Sequence, residues 1–280
     1  MTVTVMRAVL LLLALCSSAH GLGLADEALD GTSSVYTGWL ADVLKDWPAS
    51  RPGSDGTASL QLSCVATPSD DRYVGMLQQM TVEAPLAAVE KVLDDVPRYK
   101  DLFPGVVDVH VLPGSRVGRR YVTVWEQRVP VFFLPNVIYE LANLVDKTNP
   151  GLRIYRYKLR RGQSMLASDG MVVLEELGPE RTRFTEYDFF NASWGPLPAS
   201  AVWRESLRGA FVSDMAIKLR AENPRWSVAR VAAEAGQRLE SESERVEQCY
   251  RQRHQPQAEL RAAIDVASLR VGRPANPTVP

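Results

Sequence analysis

The side chains in this sequence that could carry chemistry are few and far apart. Beyond the N-terminal leader described below, the histidines are His110 and His254, in separate segments and without partners at metal-ligand spacing. No zinc site is expected from them. There is no Gly-x-Ser-x-Gly elbow for a serine nucleophile and no glycine-rich phosphate loop, so no cofactor is expected. Cys64 has no neighbouring group that would lower its thiol pKa. Asp94 and Asp95 close an apolar helical pattern just before Pro97 and read as boundary polarity rather than an acid/base pair. No catalytic residue is assigned on this basis.

Two carboxyl groups stand out because they interrupt apolar patterns. Asp214 projects among Trp203, Leu207 and Ala210, and Glu186 lies in a strand-like stretch. A charge taken out of water is costly unless it is paired. Lys218, one helical turn after Asp214, or an arginine from the sheet is the expected partner; the other reading is that Asp214 or Glu186 orients a ligand hydroxyl. Aromatic side chains accompany them. Tyr155 and Tyr157 share one strand face and Tyr187 and Phe189 share another, with Trp125 and Tyr139 on further strands. Tyrosine brings a hydroxyl into an apolar space, which suits an amphipathic ligand. The same rings could instead fill a solid core.

The elements that would position these residues can be read from periodicity. Pro198–Ala221 reads as a helix of about six turns, with Trp203, Leu207, Phe211, Met215 and Leu219 recurring every four residues. Ser206, Gly209 and Ser213 fall on another side. The large row is expected to close a cavity, with Trp203, Leu207, Phe211 and Asp214 facing a ligand. Before this helix the chain reads mostly as strands, at 59–66, 73–84, 106–113, 119–127, 137–146, 152–160, 171–177 and 181–190. A short helix opens at Pro85, with Leu86, Val89, Leu93 and Val96 as its buried face. A long amphipathic helix after a run of strands needs a sheet to bury its apolar arc.

The stretch from Met80 to Pro113 sharpens this reading. Val82, Ala84, Pro85, Val89, Asp95, Tyr99, Phe103, Pro104, Gly105 and Val106 resemble the opening motif of the START-like, polyketide cyclase/dehydrase (SRPBCC) superfamily. Residues 178–190 and 195–202 resemble its last hairpin and the lead into its C-terminal helix. The resemblance covers about 60–222. It implies an α+β helix-grip fold, in which a curved antiparallel sheet wraps around a long C-terminal helix, here with a helical C-terminal extension. Members of the superfamily include lipid carriers, hormone receptors and aromatase/cyclases, so the resemblance implies a cavity for a hydrophobic small molecule and leaves the activity open.

Composition and ends set the context. The chain has 280 residues and a formal net charge of −1, so no long-range field favours nucleic acid. Arg7 followed by a short apolar run, then Ala19 and Gly21, has the form of a cleaved signal peptide. Export, to the periplasm or outside, would leave Cys64 and Cys249, which permits a disulfide without requiring one. Arg153, Arg156, Lys158, Arg160 and Arg161 form a basic run that reads either as membrane-surface contact through anionic headgroups or as a solvated strand face. Val228, Val231, Ala235, Leu239, Val246 and Cys249 mark a narrow apolar stripe on one further helix, to pack on the main domain or on a protein partner. The expected organisation is a signal peptide over 1–21, a helix and linker over 26–57, the helix-grip domain over 58–224, a helical extension over 225–270 and a disordered tail over 271–280. Two functions follow: an exported carrier of a lipid-like or polycyclic molecule, or a cyclase/dehydrase-type enzyme using a tyrosine or carboxylate for proton transfer.

Overall fold

The computed structural model describes residues 61–67, 70–131, 133–192 and 194–251. The signal-peptide, 26–57 and 271–280 expectations lie outside the described residues. Eight strands form one antiparallel sheet: β1 (Gln61–Thr67), β2 (Asp70–Val82), β3 (Val106–Val111), β4 (Arg120–Gln127), β5 (Val137–Asp146), β6 (Leu152–Gly162), β7 (Met165–Gly178) and β8 (Arg181–Ala192). Their spatial order is β1-β2-β8-β7-β6-β5-β4-β3. Strands β3 to β8 follow one another as hairpins, and β8 returns to pair with β2.

The chain reaches β3, at the far edge, through α1 (Leu86–Asp94), a 3₁₀ turn (Val96–Arg98) and α2 (Tyr99–Leu102). Pro85 is the N-cap of α1, and its carbonyl accepts the N–H groups of Ala88 and Val89. Pro97 sits inside the first turn of the 3₁₀ segment, where its missing N–H leaves no bond unmade. Gly105, at φ +82°, makes the turn into β3, and its carbonyl accepts the Arg128 N–H at 2.7 Å. That left-handed backbone is open to glycine at no steric cost.

The long helix α3 (Ala199–Glu222) lies against β2, β8 and α1, and α4 (Val228–Arg251) packs on α3, β1 and α2. This is the helix-grip architecture: a curved antiparallel sheet holding a long helix, with a second helix beyond it. The stripe on α4 is engaged within the chain, since Val231, Ala235, Val246 and Cys249 are buried in one cluster with Trp203, Leu207, Phe211 and Met215. Cys249 is disulfide-bonded, and α4 rests against β1, the strand that carries Cys64.

Two strands begin before their expected starts. β7 starts at Met165, not Met171, because its first residues lack an alternating apolar pattern: Ser168 is buried at the cavity wall and Gly170 beneath the Tyr157 ring. β2 begins at Asp70, within the expected polar break, where Asp70 pairs back on Thr67.

Candidate functional site

A cavity of about 210 Å³ lies between the sheet and α3. Its wall comes from α1, α2, strands β3 to β8 and one side of α3. Among the described residues, none of β1 or β2 lines it.

One side of the wall is an aromatic row. The Tyr99 ring lies 4.6 Å from Phe103 and 5.7 Å from Trp125, centroid to centroid, and Trp125 stacks on Tyr139 at 6.1 Å and 6°. Trp125 and Tyr139 are cross-strand partners in β4 and β5, so the register itself sets the stack. Their polar atoms are held from the side: the Trp125 indole N–H donates to Thr123 Oγ1 at 2.9 Å, and the Tyr139 hydroxyl donates to Gln127 Oε1 at 3.4 Å. Asn143 donates to Thr123 Oγ1 at 3.0 Å and to the Leu141 carbonyl at 2.9 Å. Tyr99 donates its hydroxyl to the Leu93 carbonyl.

The other side is polar and acidic. Glu186 and Asp188 project from β8, and Asp214 from α3. The Tyr157 hydroxyl donates to Glu186 Oε1 at 3.0 Å. Asp214 is 1 % exposed; no donor group reaches either of its oxygens, and the Glu186 carboxyl lies within hydrogen-bond reach. Burial first, then the nearby Glu186 carboxyl and Asp188, push the Asp214 carboxyl well above its ordinary range. Burial likewise pushes the Tyr99, Tyr139, Tyr155 and Tyr157 hydroxyls up, so all four remain donors at neutral pH. Gln78, fully buried on β2 directly opposite Glu186, also has no partner for its amide.

The expected residues divide. Trp125, Tyr139, Tyr155, Tyr157 and Asp214 line the cavity, as does Glu186. Tyr155 is tied to the edge of the site, its hydroxyl donating to Asp94 Oδ1 at 3.2 Å. The backbones of Tyr187 and Phe189 pair with β2; their side chains lie outside the described residues. Trp203, Leu207 and Phe211 are not in the cavity wall. They are 3 %, 0 % and 0 % exposed, in the solid cluster with Met76, Met80, Phe184 and α4. The physical reason is that α3 has two jobs. Its large row fills the space over β2 and under α4, and its small row, Ser206, Gly209, Ala210 and Ser213, is what faces the cavity. The smallness of those side chains is what leaves the space open.

The expected Lys218 partner for Asp214 is also corrected. Lys218 donates to the Thr81 carbonyl at 2.6 Å and pairs with Glu222, because its long side chain reaches the end of β2. In the basic run, Arg153 pairs with Glu90 at 2.8 Å, and Arg160 and Arg161 both pair with Glu140. These charges are met within the protein. Asp94, read as boundary polarity, accepts from Lys147 as well as Tyr155. His110 is exposed and lies 2.9 Å from Asp108; His254 is outside the described residues.

The chain has a helix-grip fold with a part-aromatic, part-acidic cavity between its sheet and α3. No protein-family profile matches the chain and no curated protein matches its sequence. Solved structures similar to it include an aromatase/cyclase from a Streptomyces species, 20 % identical over 60 % of this chain and 96 % of that one, TM-score 0.41. A STAR-related lipid transfer protein from Xanthomonas axonopodis is 14 % identical over 59 % and 98 %, TM-score 0.49. A START superfamily protein from Mycobacterium smegmatis is 14 % identical over 53 % and 97 %, TM-score 0.40.

Proposed function

We propose that this protein is an exported carrier that holds an amphipathic small molecule, lipid-like or polycyclic, between its sheet and α3. The observation that carries the reading is the division of the cavity wall. An apolar body would lie on the Trp125 and Tyr139 rings while a polar end met Tyr157, Glu186 and Asp214. Export is supported by the Arg7–Gly21 pattern and by the disulfide at Cys249, since such bonds persist in oxidising compartments. Native mass spectrometry of protein from its own host, together with a titration of neutral alkyl probes, tests this. A non-covalent organic adduct or saturable probe binding is the expected result; absence of both overturns it.

A second reading, an enzyme of the cyclase/dehydrase kind, is favoured by Asp214 alone. A carboxyl that burial keeps protonated at a cavity wall can deliver a proton to a bound molecule. Under that reading Asp214→Asn would leave binding intact and stop conversion of the bound molecule, read by mass spectrometry of what the protein releases.

A further inference from the structure

We propose that the cavity selects organic cations: molecules whose apolar body lies on the Trp125–Tyr139 stack and whose ammonium group sits against Asp214 and Glu186. This rests on the cavity being a ligand site and names the chemistry it takes. Glu186, Asp188 and Asp214 put three carboxyl groups on the wall, against one basic side chain, the exposed Arg156. Asp214 is almost fully buried, no basic or amide donor reaches either of its oxygens, and its one near polar neighbour within hydrogen-bond reach is another carboxyl, Glu186. The cation one turn along its own helix, Lys218, is committed to Glu222 and the Thr81 carbonyl. The groups facing Asp214 from the sheet are Glu186 and Asp188 on β8 and Tyr157 on β6, none of them a cation.

A buried carboxyl left without a donor is costly. An ammonium group supplies several N–H donors and the opposite charge at once, whereas a ligand carboxylate would meet like charge there. Among the described residues no group of acids converges as a metal site. The aromatic faces beside them attract an organic cation through their quadrupoles as well as through contact with its apolar part. A cation entering would displace the proton held on Asp214, so charge balance in the site is kept by exchanging one cation for another.

The experiment compares octylammonium, 1-octanol and octanoate, equal in chain length, by titration calorimetry at neutral pH. Octylammonium is expected to bind at least tenfold more tightly than octanol, with octanoate weakest. Asp214→Asn, and separately Glu186→Gln, should reduce the preference for octylammonium over octanol about tenfold. The comparison on the unmodified protein stands even if a variant does not fold. Octanol binding as tightly as octylammonium, or variants that keep the preference, would overturn the cation proposal while leaving the carrier reading in place. If none of the three binds, the carrier reading falls and the cation proposal falls with it.

Discussion

The Tyr157 ring lies over Gly170, its cross-strand partner in β7: a Cβ built on Gly170 would come within 2.2 Å of both Tyr157 Cζ and Oη. The contact lets the ring lie close against the sheet and carries its hydroxyl to Glu186, 3.0 Å away. An added methyl must push the ring off its seat. Gly170→Ala should therefore destabilise by about 1–3 kcal/mol, the usual range for overpacking. In a Tyr157→Ala background most of that cost should vanish, because the clashing ring is gone. Denaturant unfolding of the four proteins checks this; equal costs in both backgrounds would contradict it.

Phe211 belongs to solid core rather than to the cavity. It is 0 % exposed, in a cluster with Met76, Phe184 and the α4 side chains. Phe211→Ala should cost about 3–5 kcal/mol, the full range for a buried phenylalanine. At temperatures where the variant remains folded, ligand binding should persist. A small stability loss with altered binding would place Phe211 at the cavity after all.

Asp214 should make stability depend on pH. Its folded carboxyl titrates well above its ordinary value of 3.8, so the folded state holds a proton that the unfolded state gives up. The folded state is favoured while both are protonated, and that advantage is lost as pH rises above the unfolded value. Asp214→Asn cannot ionise. Its unfolding free energy should gain on the parent as pH is raised from about 4 to 8; a difference that stays constant across that window would contradict the assignment.

The disulfide at Cys249 should join α4 to β1. Peptide mapping without reduction is expected to link Cys249 to Cys64, whose strand α4 packs against. Cys249→Ser should then cost about 2–5 kcal/mol, as loss of a native disulfide does. A free Cys64 thiol in the oxidised protein would contradict this.

The fold was legible because its signals are local. Alternation along β3 to β8, Pro85 and Pro97 at helix boundaries, and the Phe103–Val106 turn each point to one structure without reference to distant residues. The aromatic residues of the strands, Trp125, Tyr139, Tyr155 and Tyr157, were likewise legible as a set, because strand register puts one face of each strand on one side. What misled was α3. Its row from Trp203 to Leu219 looks like the side that meets the sheet, and it does meet β2. The stripe on α4, however, needs the same row, and only the tertiary packing shows that both are satisfied at once. The cavity side of α3 carries Ser206, Gly209 and Ser213, which read in the sequence only as lying on another side from the large row. Ser206 and Ser213 meet their hydrogen-bonding needs on the carbonyls of Val202 and Gly209, each at 2.9 Å, which makes the surface tolerable inside the protein. Gln78 gave no signal at all, since its role depends on standing opposite Glu186 across β2 and β8.

Gly209 offers the most direct test of the central claim. It lies mid-helix on the cavity side of α3, and a Cβ added there meets nothing within 4 Å. Gly209→Ala should stabilise the protein by about 1 kcal/mol, the usual gain at a helix interior. Gly209→Phe should place a ring in the empty space. Binding of a neutral solvatochromic alkyl probe, measured on the parent and on Gly209→Phe under the same conditions, is the decisive comparison. The expected result is saturable binding to the parent and at least a tenfold loss in the variant, with the unfolding free energy preserved. Probe binding that is unchanged by filling the cavity, or absent from the parent, would contradict a ligand site between the sheet and α3.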